Sequence, residues 1–117
     1  MNEYLPKFKP GAAITYDVSA PVKAGQLVEI TGSRTVAPAQ AGSTKVVGVA
    51  GFDANVSDKV TVHRGGVQTL HFVAAVAAGD LVEASAYGLA APGTDAVIGV
   101  ALEDAAADGL ADVMWTL

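Results

Sequence analysis

Short runs in which apolar and polar residues alternate recur along the chain, bounded by glycine and proline. The first is Ala13–Val18, which reads A-I-T-Y-D-V and predicts a strand with one buried face. Similar runs follow at spacings typical of a barrel or sandwich. Together they predict an all-β fold of about ten short strands.

One of these runs is used twice. Val22–Ile30 reads V-K-A-G-Q-L-V-E-I and returns at Val76–Ala84 as V-A-A-G-D-L-V-E-A, with six of nine positions identical. A second match follows in the same order, because V-V-G-V-A at Val46–Ala50 is answered by V-I-G-V-A at Val97–Ala101. Two matches in the same order indicate an internal duplication in the sequence.

The duplication predicts repeat one at about residues 22–62 and repeat two at about residues 76–115. Two copies are too few for a solenoid, which usually needs about three or more. We therefore expect two halves packed about a pseudo-twofold axis in a compact barrel or sandwich, as a single β domain over residues 11–117. Glycine inside a strand indicates a bulge, a bend or close backbone contact, which we expect at Gly48 and Gly99.

Between the repeats, the pair Gly65-Gly66 predicts a hairpin turn. This turn would lead into Val67–Ala74, the most apolar of the predicted strands. Such a hairpin would place His63 and His71 on adjacent strands, where they could face each other.

Residues 1–10 form a different kind of segment. Pro6 and Pro10 lack a donor N–H and keep the residues before them extended, so an extended N-terminal arm is predicted. Its large apolar side chains are costly to leave in water, which favours contact with a partner over a frayed terminus without a role. The candidate contact residues are Tyr4, Leu5, Pro6, Lys7, Phe8 and Lys9.

Composition narrows the function classes. At 117 residues the chain has the length of one ordinary domain. It contains no cysteine, which excludes disulfides and thiolate chemistry. The longest uncharged apolar run, residues 67–79, is too short to span a bilayer, so we expect no membrane partner.

Charge is unevenly distributed along the chain. The net charge is −5, which argues against nucleic acid as a partner because phosphate binding needs clustered Lys and Arg. Residues 1–64 carry all seven basic residues against five acidic ones, whereas residues 65–117 carry seven acidic residues and no basic one. Such a difference can orient a domain on a charged surface, although solvated faces would explain it equally well.

The residues that could carry chemistry are few. His63 and His71 could offer two metal ligands or a proton shuttle, but a closed metal site needs more ligands than are visible nearby. Glu103, Asp104 and Asp108 do not match a calcium-binding loop. No serine lies in a nucleophile elbow and no glycine-rich phosphate loop occurs. We therefore predict no catalytic residue, no metal site and no cofactor, and a function in binding or assembly.

The order of these motifs resembles the capsid decoration, or cement, proteins of tailed bacteriophages. In that family a G-x-x-I-x-Y strand precedes two rounds of an A-G-D-x-V turn and a G-V-A strand. The corresponding segments here are Gly11–Tyr16, Ala24–Val28, Gly48–Ala50, Asp58–Val62, Gly66-Val67, Ala78–Val82 and Ile98–Ala101. Gln26 stands where the first round would carry Asp, and Asp58-Lys59 stands where a turn would carry Gly.

The resemblance implies a non-catalytic virion protein, made in the cytoplasm of a bacterial host. It implies binding to the outer surface of the expanded head, where such a protein bridges subunits of the major capsid protein and stabilises the shell. It also implies self-association, with a homotrimer as the expected state. The arm residues would then contact the capsid or a neighbouring subunit.

The main alternative is a non-catalytic ligand- or carbohydrate-binding β module on a virion or secreted protein. Such a module needs exposed aromatic side chains on one face or loop. In the second half of the sequence Tyr87 and Trp115 are the candidates.

Overall fold

A computed structural model describes residues 13–117, and these residues form ten strands. The strands are β1 (Ile14–Val18), β2 (Leu27–Gly32), β3 (Thr35–Pro38), β4 (Val46–Ala50), β5 (Lys59–His63), β6 (Val67–His71), β7 (Leu81–Ala84), β8 (Ala90–Pro92), β9 (Val97–Ala101) and β10 (Leu110–Trp115). A 3₁₀ turn at Ala86–Gly88 joins β7 to β8. The predicted all-β fold of about ten short strands is confirmed.

The first half of the molecule, β1–β5, is a closed barrel with strand order β1-β3-β2-β4-β5. Closure comes from β1, which pairs in parallel with β3 and antiparallel with β5. The interior is filled by valines such as Val28, Val36 and Val60, all fully buried. Branched side chains of this size suit the narrow interior of a small barrel.

The second half, β6–β10, repeats this register in a sheet of order β6-β10-β9-β7-β8. In the first half, Val18 pairs with Val36 across the parallel β1–β3 contact. The second half has a single parallel bridge there, between Phe72 and Ala90. A phenylalanine opposite an alanine replaces two valines, which conserves interior volume because a larger residue faces a smaller one.

Gly48 and Gly99 occupy matching positions where two strands approach closely. Val28 pairs with Gly48 and Val82 with Gly99, and in each half the register shifts at the next residue of β2 or β7. A Cβ atom on Gly48 would lie 2.4 Å from the carbonyl oxygen of His63. On Gly99 it would lie 2.4 Å from the carbonyl oxygen of Met114. The predicted bulges and close backbone contacts at both glycines are confirmed.

The predicted hairpin at Gly65-Gly66 is wrong. β5 belongs to the barrel and β6 to the second sheet, so the two glycines connect the halves of the molecule. Both have positive φ, 79° and 63°, which glycine adopts without strain. The strand after the turn ends at His71, and Leu70 is its one buried residue, whereas Val67 is exposed.

Candidate interaction surfaces

The two histidines lie apart in the topology. His63 ends β5 in the barrel, and its imidazole lies over Gly51. His71 ends β6 in the other sheet, so the expected pairing of the two side chains is wrong. Within residues 13–117, no cluster of three His, Asp or Glu side chains could hold a metal ion.

Several acidic side chains accept hydrogen bonds from loop backbone, and they do so in both halves. Asp53 Oδ1 accepts from the Ala24 N–H at 2.9 Å, and Asp104 Oδ1 accepts from the Ala78 N–H at 2.7 Å. Glu103 Oε1 accepts from the Asp112 N–H at 2.9 Å. The acidic turn near Asp104 is thus engaged in holding its own loops in place.

The two halves meet through an apolar patch on the outside of the barrel, here called the docking face: Leu27, Ala39, Val46 and Val49. These four residues are buried in one cluster with residues of the second half. Beyond the second half's own interior, the cluster contains a patch here called the receiving face: Leu70, Ala84, Ile98 and Trp115. Burial of both faces joins the halves through non-polar contact.

Hydrogen bonds fix the geometry of this internal contact. The Gly88 N–H donates to Ala39 O and the Gly42 N–H donates to Ala84 O, both at 2.9 Å. Gln26 Nε2 donates to Tyr87 O, also at 2.9 Å. A Cβ atom on Gly88 would lie 2.7 Å from Leu27 O, so this position tolerates only glycine. The φ of 71° at Gly88 lies in the left-handed region that glycine adopts without strain.

Two crevices open along the boundary between the halves. One, of about 230 Å³, lies between the loops around Thr44 and Asp95 and is lined by Leu117. The other, of about 270 Å³, lies between the Lys23–Gln26 turn and His71. Neither holds a convergent set of ionisable side chains, since the side chains that line them include Asp95 in the first and Lys23 and His71 in the second.

A row of apolar side chains crosses the outer surface of the second half. Leu81 pairs with Val100, Val100 with Met114, and Met114 with Val67, so all four lie side by side on one face. Leu81, Met114 and Val67 are exposed by 41%, 46% and 55%. Contiguous exposed apolar residues of this kind mark a contact surface.

The same row exists in the first half but is covered there. Leu27 pairs with Val49 as Leu81 pairs with Val100, yet Leu27 is 0% exposed because it belongs to the docking face. The symmetry expected between the repeats is therefore broken at this contact. The halves meet through non-equivalent faces, and one copy of the docking face remains open.

The sequence reasoning missed this open surface. Leu27 and Leu81 lie in the duplicated segment, and halves related by a pseudo-twofold axis would give them equivalent environments. One signal was present: at the position of Gln26, which donates to the other half, the second copy carries Asp80, which has no side-chain donor.

The predicted contact residues Tyr4, Leu5, Pro6, Lys7, Phe8 and Lys9 lie outside the described residues. The two aromatic residues on which the carbohydrate-binding alternative depends differ in exposure. Trp115 is buried in the apolar cluster that includes the docking face, whereas Tyr87 is 76% exposed. Of this pair only Tyr87 could stack on a ligand, and one ring alone does not form a stacking platform.

Within residues 13–117, no helix is long and apolar enough to cross a membrane.

Comparison with known proteins gives a family and a fold. A family model described as phage cement protein matches residues 8–115. Among solved structures, the crystal structure of the head fiber gp8.5 N base in bacteriophage phi29 is similar, with a TM-score of 0.72. Its sequence is 21% identical, and the match covers 90% of this chain and 93% of that chain. No curated protein matches the sequence.

Proposed function

Because this chain belongs to the phage cement protein family, we propose that it is a capsid decoration protein that binds the outer surface of the expanded head. A structural role associated with the phage capsid follows from family membership. The finer proposal is that it bridges neighbouring subunits of the major capsid protein and acts as a homotrimer. The match across residues 8–115, which includes all ten strands, carries this proposal.

The proposed mechanism is stabilisation by mass action. A protein that binds the assembled, expanded lattice but not its separated subunits favours the lattice, since separation must also expose the buried contact. An ordinary contact buries about 800 Å² per partner. A trimer makes several such contacts at once, so modest individual affinities combine through effective concentration. Pre-formed β structure suits this task because little ordering is needed on binding.

The direct test is co-sedimentation with purified undecorated heads. We expect saturable binding to expanded heads and none to unexpanded heads, followed by higher resistance of the decorated heads to heating. Equal binding to both lattices, or binding without any gain in head stability, would contradict the proposal.

We propose that the arm makes part of this contact. Tyr4, Leu5 and Phe8 would pack on the capsid or on a neighbouring subunit, and the extended backbone would add a strand to an exposed sheet edge. Removing residues 1–10 is expected to abolish head binding while the melting temperature of the β domain is unchanged. Occupancy on heads and thermal unfolding are the two measurements.

A matched pair of full-length variants separates apolar contact from charge. In one, Tyr4, Leu5 and Phe8 become serine; in the other, Lys7 and Lys9 become glutamine. The first should lose head binding, and the second should weaken head binding much less. Full occupancy by the serine variant would refute the role of the arm.

We also propose that the basic first half faces the capsid and the acidic second half faces solvent. Residues 1–64 have a net charge of +2, against −7 for residues 65–117. Raising ionic strength from about 0.05 M to about 0.5 M should weaken head binding, since the Debye length falls over that range. Occupancy that is independent of salt would count against this orientation.

A further inference from the structure

Each of the two faces that form the internal contact has a counterpart in the other half that the internal contact leaves uncovered. The docking face is Leu27, Ala39, Val46 and Val49, and the receiving face is Leu70, Ala84, Ile98 and Trp115. Because the halves share one register, each face has a counterpart in the other half. We infer that a second copy of this chain binds head to tail, with the second half of one copy docking on the first half of the next.

The open docking face lies in the second half. Leu81 and Val100 occupy the places of Leu27 and Val49, and Met114 and Val67 extend the row. In the first half Met114 is replaced by His63, which pairs with Val49. At this position the open copy of the face carries a thioether where the covered copy carries an imidazole, which favours an apolar partner in contact with it.

The open receiving face lies in the first half. Its apolar members are Tyr16, Ile30 and Val47, the counterparts of Leu70, Ala84 and Ile98. All three pack against the barrel core but are only partly buried. This face therefore still has apolar surface to cover, and its counterpart shows which kind of surface covers it.

Charged residues distinguish the open contact from the internal one. Arg34 precedes Val36 by two positions as Gly88 precedes Ala90, and both turn residues have positive φ, 51° and 71°. Arg64 follows His63 as Trp115 follows Met114. The open receiving face therefore carries two arginines where the internal one carries glycine and tryptophan.

The open docking face supplies the complementary charge. Gln26 accepts from the Lys23 N–H through Oε1 and donates to the other half through Nε2. Asp80 keeps the first bond, from the Ala77 N–H to Oδ2 at 3.0 Å, and presents Oδ1 in place of the donor. A carboxylate oxygen pairs with a guanidinium, so Asp80 of one copy would meet Arg34 of the next.

The contact between copies cannot be an exact copy of the internal one. A Cβ at Gly88 would come within 2.7 Å of Leu27 O, so an arginine at the matching position holds the two faces further apart. Contact between copies is therefore looser than contact between halves and can form and dissociate. A head-to-tail contact is heterologous, so it closes into a ring when the rotation allows, as the proposed homotrimer requires.

The inference rests on the self-association in the proposed function and is independent of capsid binding. Its test uses two full-length variants, Leu81→Arg, which blocks the docking face, and Arg34→Glu, which blocks the receiving face. Each alone should dissociate into monomers, with self-association weakened at least about tenfold. Mixed in equal amounts, they should form a one-to-one heterodimer, since one intact pair of faces remains. Analytical ultracentrifugation over a concentration series measures both results.

Controls keep the test decisive. Val56→Arg alters an exposed apolar residue outside both faces and should leave the oligomer unchanged. Arg64→Glu replaces Arg34→Glu if the latter fails to fold, as judged by circular dichroism. A monomeric wild-type chain, or a mixture that stays monomeric, overturns the inference. Head binding that persists in such a result would leave the decoration role intact, so the two proposals fail separately.

Discussion

Replacing Phe72 with alanine is expected to lower the free energy of unfolding by about 3–5 kcal/mol. Phe72 is fully buried and is the largest of the fully buried side chains in the part of the chain described. It bridges to Ala90, whose small side chain cannot fill the space that the ring would leave. Chemical denaturation followed by the fluorescence of Trp115 gives the midpoint and the slope.

Phe52→Ala is the matched control, because Phe52 is 47% exposed on a loop of the first half. The substitution removes the same atoms as in Phe72→Ala. Because they come from a side chain that is partly in water, we expect the free energy of unfolding to fall by less than about 1 kcal/mol. The denaturant slope of both variants should match that of the wild type, as expected when only the folded state loses packing. Equal losses for the two phenylalanines would show that the interior of the second half is not packed around Phe72.

Replacing Gly99 with valine is expected to cost at least about 3 kcal/mol, at the upper end of the range for overpacking. The new Cβ would lie 2.4 Å from Met114 O and 2.7 Å from Val113 Cγ1. The first of these atoms belongs to the backbone of β10, so the strand itself must move. The pairing of β9 with β10 should weaken, which amide hydrogen exchange would report along with the loss of stability.

Gly32→Val is the control for a β-branched residue introduced at a strand glycine. The nearest atom to a Cβ there is Thr35 Cβ at 3.7 Å, an ordinary contact. We expect a change within about 0.5 kcal/mol for this exposed position. A Gly99→Val protein as stable as Gly32→Val would mean that β9 and β10 do not approach as closely as described.

The positions of the strands could be predicted from the sequence because they depend on local pattern. The alternation of apolar and polar residues predicted β1. The repeated V-x-G-V-A segments predicted β4 and β9, and their glycines predicted the bulges. The hairpin prediction at Gly65-Gly66 was wrong because this dipeptide can form a hairpin turn or connect strands of two different sheets. Which of these forms is decided by where β6 finds its partner, β10, far along the chain.

The candidate surfaces were harder to predict for a different reason. Because their local sequences are nearly identical, Leu27 and Leu81 take equivalent positions at the starts of β2 and β7. Their neighbours in the folded protein nevertheless differ. Leu27 is covered and Leu81 is open because a single contact joins two halves that each carry both faces. The two repeats can be told apart in the sequence only where they differ at contact positions, as at Arg34, which stands in the place of Gly88.

The closure of the first half has a consequence for the behaviour of the protein at high concentration. β1 pairs on both sides, so that sheet offers no unpaired strand to another chain, and the bridge from Phe72 to Ala90 partly shields the margins of the second sheet. Unpaired margins are where β proteins begin to polymerise without limit. A chain built this way can reach high concentration without open-ended pairing of strands between copies.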